Sequence, residues 1–106
     1  MEEKRRHARI PISLDVLCST ADGLSVAGTV RDLSLGGAFI YCAKLLAFGT
    51  KLTIAVRLPG AREDSQLPAV VQWSQPEGVG VQFGLLGARE THLLVELVRH
   101  GGQRSA

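Results

Sequence analysis

Two polar segments of this chain carry side chains that could bind an anion. The first reads Arg5-Arg6-His7-Ala8-Arg9, and its planar guanidinium groups can make paired hydrogen bonds to phosphate oxygens and to the O6/N7 edge of guanine. The second reads Asp32-Leu33-Ser34-Leu35-Gly36-Gly37, and it supplies short oxygen acceptors beside glycines that let a ligand approach the backbone. If the fold brings the two segments together, they form a pocket for an anion with base-like edges. A nucleotide fits that description better than a metal ion or a sugar.

Each segment also has an ordinary explanation when it is taken alone. A basic terminus stays solvated and aids solubility, and aspartate, serine and glycine are common wherever a chain turns between strands. In the functional interpretation, Asp32 accepts hydrogen bonds from guanine N1–H and N2–H₂ or holds an arginine in place. Ser34 then binds a base edge or a phosphate.

The composition limits the function classes that the chain can serve. A chain of 106 residues, of which 45% are hydrophobic and 21% charged, makes one globular domain with a single core and little room for a deep enzyme cleft. Its net charge of +2 is too small to suggest general nucleic-acid binding. Because no apolar run approaches the ~20 residues of a membrane span and no apolar leader follows Met1, we expect a cytoplasmic protein without membrane contact.

The sequence contains no pattern that indicates catalysis or metal binding. It has no P-loop, no G-x-S-x-G motif and no paired catalytic carboxylates. The histidines at positions 7, 92 and 100 lack the spacing of metal ligands. Cys18 and Cys42 lack CxxC spacing, and we expect both to be buried reduced thiols. The chain is therefore predicted not to be an enzyme and to need neither a metal nor a cofactor.

The apolar residues mostly alternate with polar ones, which is typical of strands, and only the C-terminal part has helical spacing. The predicted strands are residues 10–17, 24–30, 38–42, 52–58, 67–73 and 79–83, and the predicted helix is 88–100, stopped by Gly101 and Gly102. Trp73 and Phe83, at strand ends, are expected in the core. Short, evenly spaced strands predict an all-β fold, a six-stranded antiparallel barrel with one C-terminal helix.

The two polar segments together form a more specific pattern than either alone. An RxxxR motif (Arg5, Arg9) followed after one hairpin by a DxSxxG motif (Asp32, Ser34, Gly37) resembles the PilZ family, whose members are receptors for the second messenger cyclic di-GMP. The strand Gly-Val-Gly-Val-Gln-Phe at 78–83, together with the tryptophan at the end of the preceding strand, is also similar to that family. The resemblance covers nearly the whole chain and implies the same barrel.

The resemblance also implies a role for each matched residue. Arg5 and Arg9 would contact the phosphates and guanine edges of the ligand. Asp32 and Ser34 would recognise a guanine base, and Gly37 would keep the turn open. Three neighbours are secondary candidates for ligand contact: Lys4, Arg6 and Gly36.

The resulting hypothesis is a stand-alone, non-enzymatic receptor or adaptor for cyclic di-GMP. Residues 1–9 would form a flexible basic arm that orders over the ligand, and residues 10–102 would form the barrel and helix. The ordered surface would signal in trans to an unidentified protein partner. Two alternatives stay open: a PilZ-like protein-interaction module that binds no nucleotide, and a small nucleic-acid-binding barrel, which the low net charge and the 5% aromatic content disfavour.

Overall fold

The computed structural model describes residues 9–44 and 46–100. It contains six strands followed by one helix. Their bounds are β1 Ile10–Thr20, β2 Ser25–Leu33, β3 Gly37–Cys42, β4 Lys51–Val56, β5 Ser65–Gln75, β6 Gly78–Phe83 and α1 Ala88–Arg99. The predicted order of elements is confirmed, and β1, β2 and β5 extend further than their apolar alternation indicated.

The six strands form a closed antiparallel barrel in the order β1-β2-β3-β6-β5-β4, as the sequence predicts. Alternate residues of each strand point inward and pack the barrel, so Ile40, Ile54 and Val71 are at most 2% exposed. Closure pairs both edges of the sheet, which leaves no long unpaired strand.

Helix α1 lies beside the barrel end where β1 begins and the β2–β3 turn protrudes. Its Leu94 is buried in the core, and grooves along its two sides are lined by Ile10 of β1 and by Leu35 of the turn. The helix ends at Arg99, with His100 as its C-cap, one residue before the predicted end. The predicted stop at Gly101 and Gly102 lies outside the described residues. Nowhere in residues 9–44 and 46–100 is a helix both long and apolar enough to cross a membrane.

Two irregularities in strand pairing change which side chains point outward. The pairing of β2 with β3 shifts between Val30 and Asp32, so Arg31 and Asp32 lie on the outer wall while Leu33 turns inward. The expected turn at 32–37 is shorter than predicted, because Asp32 belongs to β2. A shift of this kind is a β-bulge, in which two residues of one strand oppose one residue of its partner.

The second irregularity makes the predicted position of Trp73 wrong. The pairing of β5 with β6 shifts between Val71 and Trp73, which turns the indole from the core to the outer wall, where it is 43% exposed. There it covers Gly80, at which an added Cβ would come within 2.2 Å of the indole ring. Phe83, also expected in the core, is half-buried and packs against it.

The two cysteines are free thiols, but they are not buried alike. Cys18 is 2% exposed, and burial, with a smaller effect from nearby Cys42, raises the pKa of its thiol to about 11. Cys42 is only half-buried, contrary to expectation, and its Sγ lies 3.5 Å from the carbonyl oxygen of Lys44. Cys18 therefore stays protonated and unreactive at neutral pH.

Candidate functional site

The described part of the first motif contacts the second motif directly. Arg9 donates from Nε and Nη2 to Oδ1 of Asp32, at 3.0 and 2.5 Å. The contact follows from strand pairing, because Pro11 of β1 lies opposite Asp32 of β2. Residues 23 positions apart in the chain thus meet on the outer wall of the barrel.

Asp32 is held by a second arginine as well. Arg31 donates from Nε to Oδ2 of Asp32 at 2.8 Å, so each carboxylate oxygen has its own guanidinium partner. The Asp32 side chain is 16% exposed, whereas those of Arg9 and Arg31 are 37% and 42% exposed. We call these three residues the arginine–aspartate cluster.

The cluster keeps Asp32 ionised. Burial alone would raise the pKa of this carboxyl, but hydrogen bonds from Arg31 and Arg9, with their charges, outweigh it and lower the pKa below its ordinary value. The stabilisation from this shift is therefore fully present above the ordinary pKa of about 3.9 and is lost as the pH falls through the lowered pKa. At neutral pH the cluster, with two guanidinium groups and one carboxylate, carries a net positive charge.

The Ser34 hydroxyl is used by the turn itself. It is buried, its Oγ accepts from the backbone N–H groups of Gly36 and Gly37 at 3.1 and 3.2 Å, and it lies 3.3 Å from the Gly37 carbonyl oxygen. Ser34 also donates from its backbone N–H to that carbonyl at 2.8 Å. The side chain thus shapes the turn in this structure and does not point a free hydroxyl at the surface.

The two glycines of the turn tie it to β6. The carbonyl of Gly36 accepts from the N–H of Phe83 at 2.8 Å. At Gly37 an added Cβ would come within 2.1 Å of the carbonyl oxygen of Val81. Neither glycine has a positive φ, so close approach of the strands, not a left-handed backbone, requires glycine at position 37.

The structure therefore brings together the predicted site residues that it describes: Arg9, Asp32, Ser34, Gly36 and Gly37. The remaining predicted residues, Arg5, Lys4 and Arg6, lie outside the described residues, as does most of the predicted arm 1–9. Within residues 9–44 and 46–100, no group of three or more histidine, cysteine, aspartate or glutamate side chains is arranged to hold a metal ion.

Sequence reasoning missed an aromatic group beside the cluster. The Arg31 guanidinium carbon lies 4.1 Å from the centroid of the Phe39 ring. Phe39 also packs against two aromatic rings: Trp73, stacked at 5.2 Å and 25°, and Tyr41, edge-on at 5.6 Å and 87°. Phe39 is fully buried although it lies on the outer wall, because these side chains cover it. We call Phe39 and Trp73 the aromatic stack.

One sequence signal indicates that Arg31 and Asp32 share the outer face, although none locates the aromatic group. Val30 and Leu33 are separated by two polar residues, and this spacing breaks the alternation that β2 otherwise keeps. Such a break indicates a bulge, which places two consecutive side chains on one face.

The fold and the site define a class of protein: a small closed barrel with a charged site on its outer wall, beside the turn between β2 and β3. We call this part of the barrel the β2–β3 rim. Arg9, just before β1, reaches the site through its bonds to Asp32. The family model for the PilZ domain matches residues 3–100. The chain belongs to the PilZ family. No curated protein sequence matches it.

Solved structures share this fold. The chain is 27% identical to the PilZ domain of CeSA from a cellulose-synthesizing bacterium, with a TM-score of 0.70 over 87% of this chain and 95% of that one. The PilZ domain of YcgR from Escherichia coli, solved with c-di-GMP, is 18% identical, with a TM-score of 0.71 over 92% and 94%. The Bacillus subtilis inhibitor of motility MotI/DgrA is 24% identical, with a TM-score of 0.71 over 93% of this chain and 52% of that protein.

Proposed function

We propose that this chain is a receptor for cyclic di-GMP and binds it on the outer wall of the barrel, at the arginine–aspartate cluster. The observation that carries the proposal is the contact of Arg9 with Asp32, which joins one residue of the RxxxR motif to the first residue of the DxSxxG motif. Membership of the PilZ family and the likeness in fold to a PilZ domain solved with c-di-GMP support it.

In the proposed mechanism a guanine base replaces Arg9 at Asp32. The N1–H and N2–H₂ groups of guanine present two roughly parallel N–H donors, as a guanidinium does, so the carboxylate can exchange one for the other. Only Oδ1 of Asp32 bonds to Arg9, whereas Oδ2 bonds to Arg31. Arg9 is then free to bind the phosphates of the ligand or the O6/N7 edge of a guanine with its planar fork.

The N-terminal arm supplies the remaining contacts in this proposal. Arg5 lies four residues before Arg9 and would grip another part of the doubly charged ligand, with Lys4 and Arg6 adding positive charge nearby. The arm 1–9 would become ordered as it closes over the ligand on the rim. The surface made by arm, ligand and rim would then bind a protein partner in trans, and the receptor would act without catalysis.

Titration calorimetry with two cyclic dinucleotides tests the proposed function. We expect wild-type protein to bind cyclic di-GMP and to bind cyclic di-AMP about 10- to 100-fold more weakly, because adenine lacks the two donors that a carboxylate reads and a bidentate base contact contributes ~1–3 kcal/mol of discrimination. The two ligands share the same charged ring, so the comparison isolates the base. No heat from folded protein with cyclic di-GMP, or equal affinity for both ligands, would contradict the proposal.

A further inference from the structure

Arg31 lies outside both sequence motifs, yet it is bound into the site from two sides. On one side its Nε donates to Oδ2 of Asp32 at 2.8 Å. On the other side its guanidinium lies over the Phe39 ring at 4.1 Å, a distance at which a cation is attracted to an aromatic face. The bulge in β2 makes this possible, because it places Arg31 and Asp32 together on the outer wall.

The surface beneath Arg31 is itself fixed. Phe39 is fully buried and stacks on Trp73. The indole in turn lies where any side chain at Gly80 would collide with it, since an added Cβ would come within 2.2 Å of the ring. Arg31 therefore rests on packed aromatic side chains, whereas Arg9, within residues 9–44 and 46–100, joins the cluster through its two hydrogen bonds to Asp32.

If guanine replaces Arg9 at Asp32 as proposed, Arg31 becomes the arginine that holds the carboxylate in place. When guanine replaces Arg9, its two donors bond to Oδ1 and to the second lone pair of Oδ2, and the carboxylate loses one of the two arginines that fix its orientation. Arg31 can keep its hold on Oδ2 through that step, because its own position depends on the aromatic stack and not on Arg9. A carboxylate fixed in advance binds a base with less loss of side-chain freedom than one that must be ordered on binding.

We propose that Arg31 is a positioning residue for ligand recognition: it holds Asp32, from the aromatic stack, in the orientation that accepts the guanine base. The inference rests on the proposed function. It differs from a direct role, in which Arg31 would itself contact a phosphate of the ligand. The two roles differ in whether Arg31 acts through Asp32.

A double-mutant cycle separates the two roles. Arg31→Met keeps a long side chain over Phe39 but cannot donate to Asp32, and we expect it to weaken cyclic di-GMP binding about tenfold, because the freed Asp32 side chain must then be ordered on binding. In an Asp32→Ala background the same change should alter affinity by less than about twofold, because the residue through which Arg31 acts is gone. Arg57→Met is the matched control, since Arg57 forms the same kind of pair with Asp64, at 3.0 Å, and should bind like wild type.

The outcomes distinguish this inference from the proposed function. If wild type binds and Arg31→Met binds equally well, the positioning role is wrong and the proposed function stands. If Arg31→Met weakens binding by the same factor with and without Asp32, Arg31 contacts the ligand directly and the inference is again wrong. If Asp32→Ala leaves no measurable binding, cyclic di-AMP, which lacks the base donors for Asp32, decides instead: Arg31→Met should leave its affinity unchanged if Arg31 acts through Asp32, and should lower it about tenfold if Arg31 contacts a phosphate. Absence of binding by folded wild type overturns both.

Discussion

Gly37→Ala is expected to lower the free energy of unfolding of the ligand-free protein by about 3 kcal/mol, the upper end of the range for an overpacked site. The new methyl group would come within 2.1 Å of the carbonyl oxygen of Val81, a backbone atom that cannot rotate away as a side chain can. Relief requires β3 to separate from β6 where Gly37 pairs with Gln82. Urea unfolding of the ligand-free variant and wild type measures the difference in free energy of unfolding.

Gly84→Ala is the matched control for this prediction. At Gly84 an added Cβ would lie 3.5 Å from a side-chain carbon of Pro68, an ordinary contact, so its stability should stay within about 1 kcal/mol of wild type. If Gly37→Ala is as stable as Gly84→Ala, the close approach of β3 to β6 does not explain the glycine of the DxSxxG motif. Glycine at position 37 would then be required for ligand binding and not for strand packing.

Arg9→Ala is expected to weaken cyclic di-GMP binding by about 100-fold, because it removes the charged donors that the proposal assigns to the ligand, each worth ~1.5–3 kcal/mol. The change also removes the competition of Arg9 for Asp32, which favours binding, so the net loss is smaller than the contribution of the arginine to ligand binding. The unfolding free energy should change little, since Asp32 keeps Arg31 as a partner and an ion pair with an exposed side chain such as that of Arg9 contributes ~0–1 kcal/mol. Calorimetric titration gives the affinity, and thermal unfolding gives the stability.

Arg57→Ala provides the comparison for Arg9→Ala. It removes another exposed arginine that bonds to an aspartate, Asp64, and it makes the same change in net charge. If Arg57→Ala weakens binding as much as Arg9→Ala, the effect comes from overall charge and not from the cluster. If neither variant loses affinity, Arg9 is not part of the binding site.

Most of the fold could be predicted from the sequence because alternation reports which residues face a core. The barrel has a single interior, so residues such as Ile40, Ile54 and Val71 follow a simple period of two. The helix could be predicted for the same reason, because the spacing of apolar residues changes there from alternation to that of a helix. Alternation does not mark the strand ends, because β1 and β5 continue into residues that are not buried.

The outer wall could not be predicted from alternation, since a single bulge reverses which residues face outward. Strict alternation from Val30 would point Asp32 inward, and strict alternation from Val71 puts Trp73 in the core. Phe39 adds a second difficulty, because it is buried on the outside by Tyr41 of its own strand and by Arg31 and Trp73 of other strands. The motif residues were found by their chemistry, whereas Arg31 depends on contacts that only the folded chain reveals.

A two-dimensional NMR titration of the wild-type protein with cyclic di-GMP tests directly whether Arg9 and Asp32 form the ligand site. We expect the Arg9 Nε–H signal and the backbone amide signals of Asp32, Gly36 and Gly37 to shift as ligand is added. The hairpin at Gly23, at the far end of β1, should be unaffected. No shifts, or shifts confined to residues away from the β2–β3 rim, would contradict the claim that Arg9 and Asp32 form the cyclic di-GMP site.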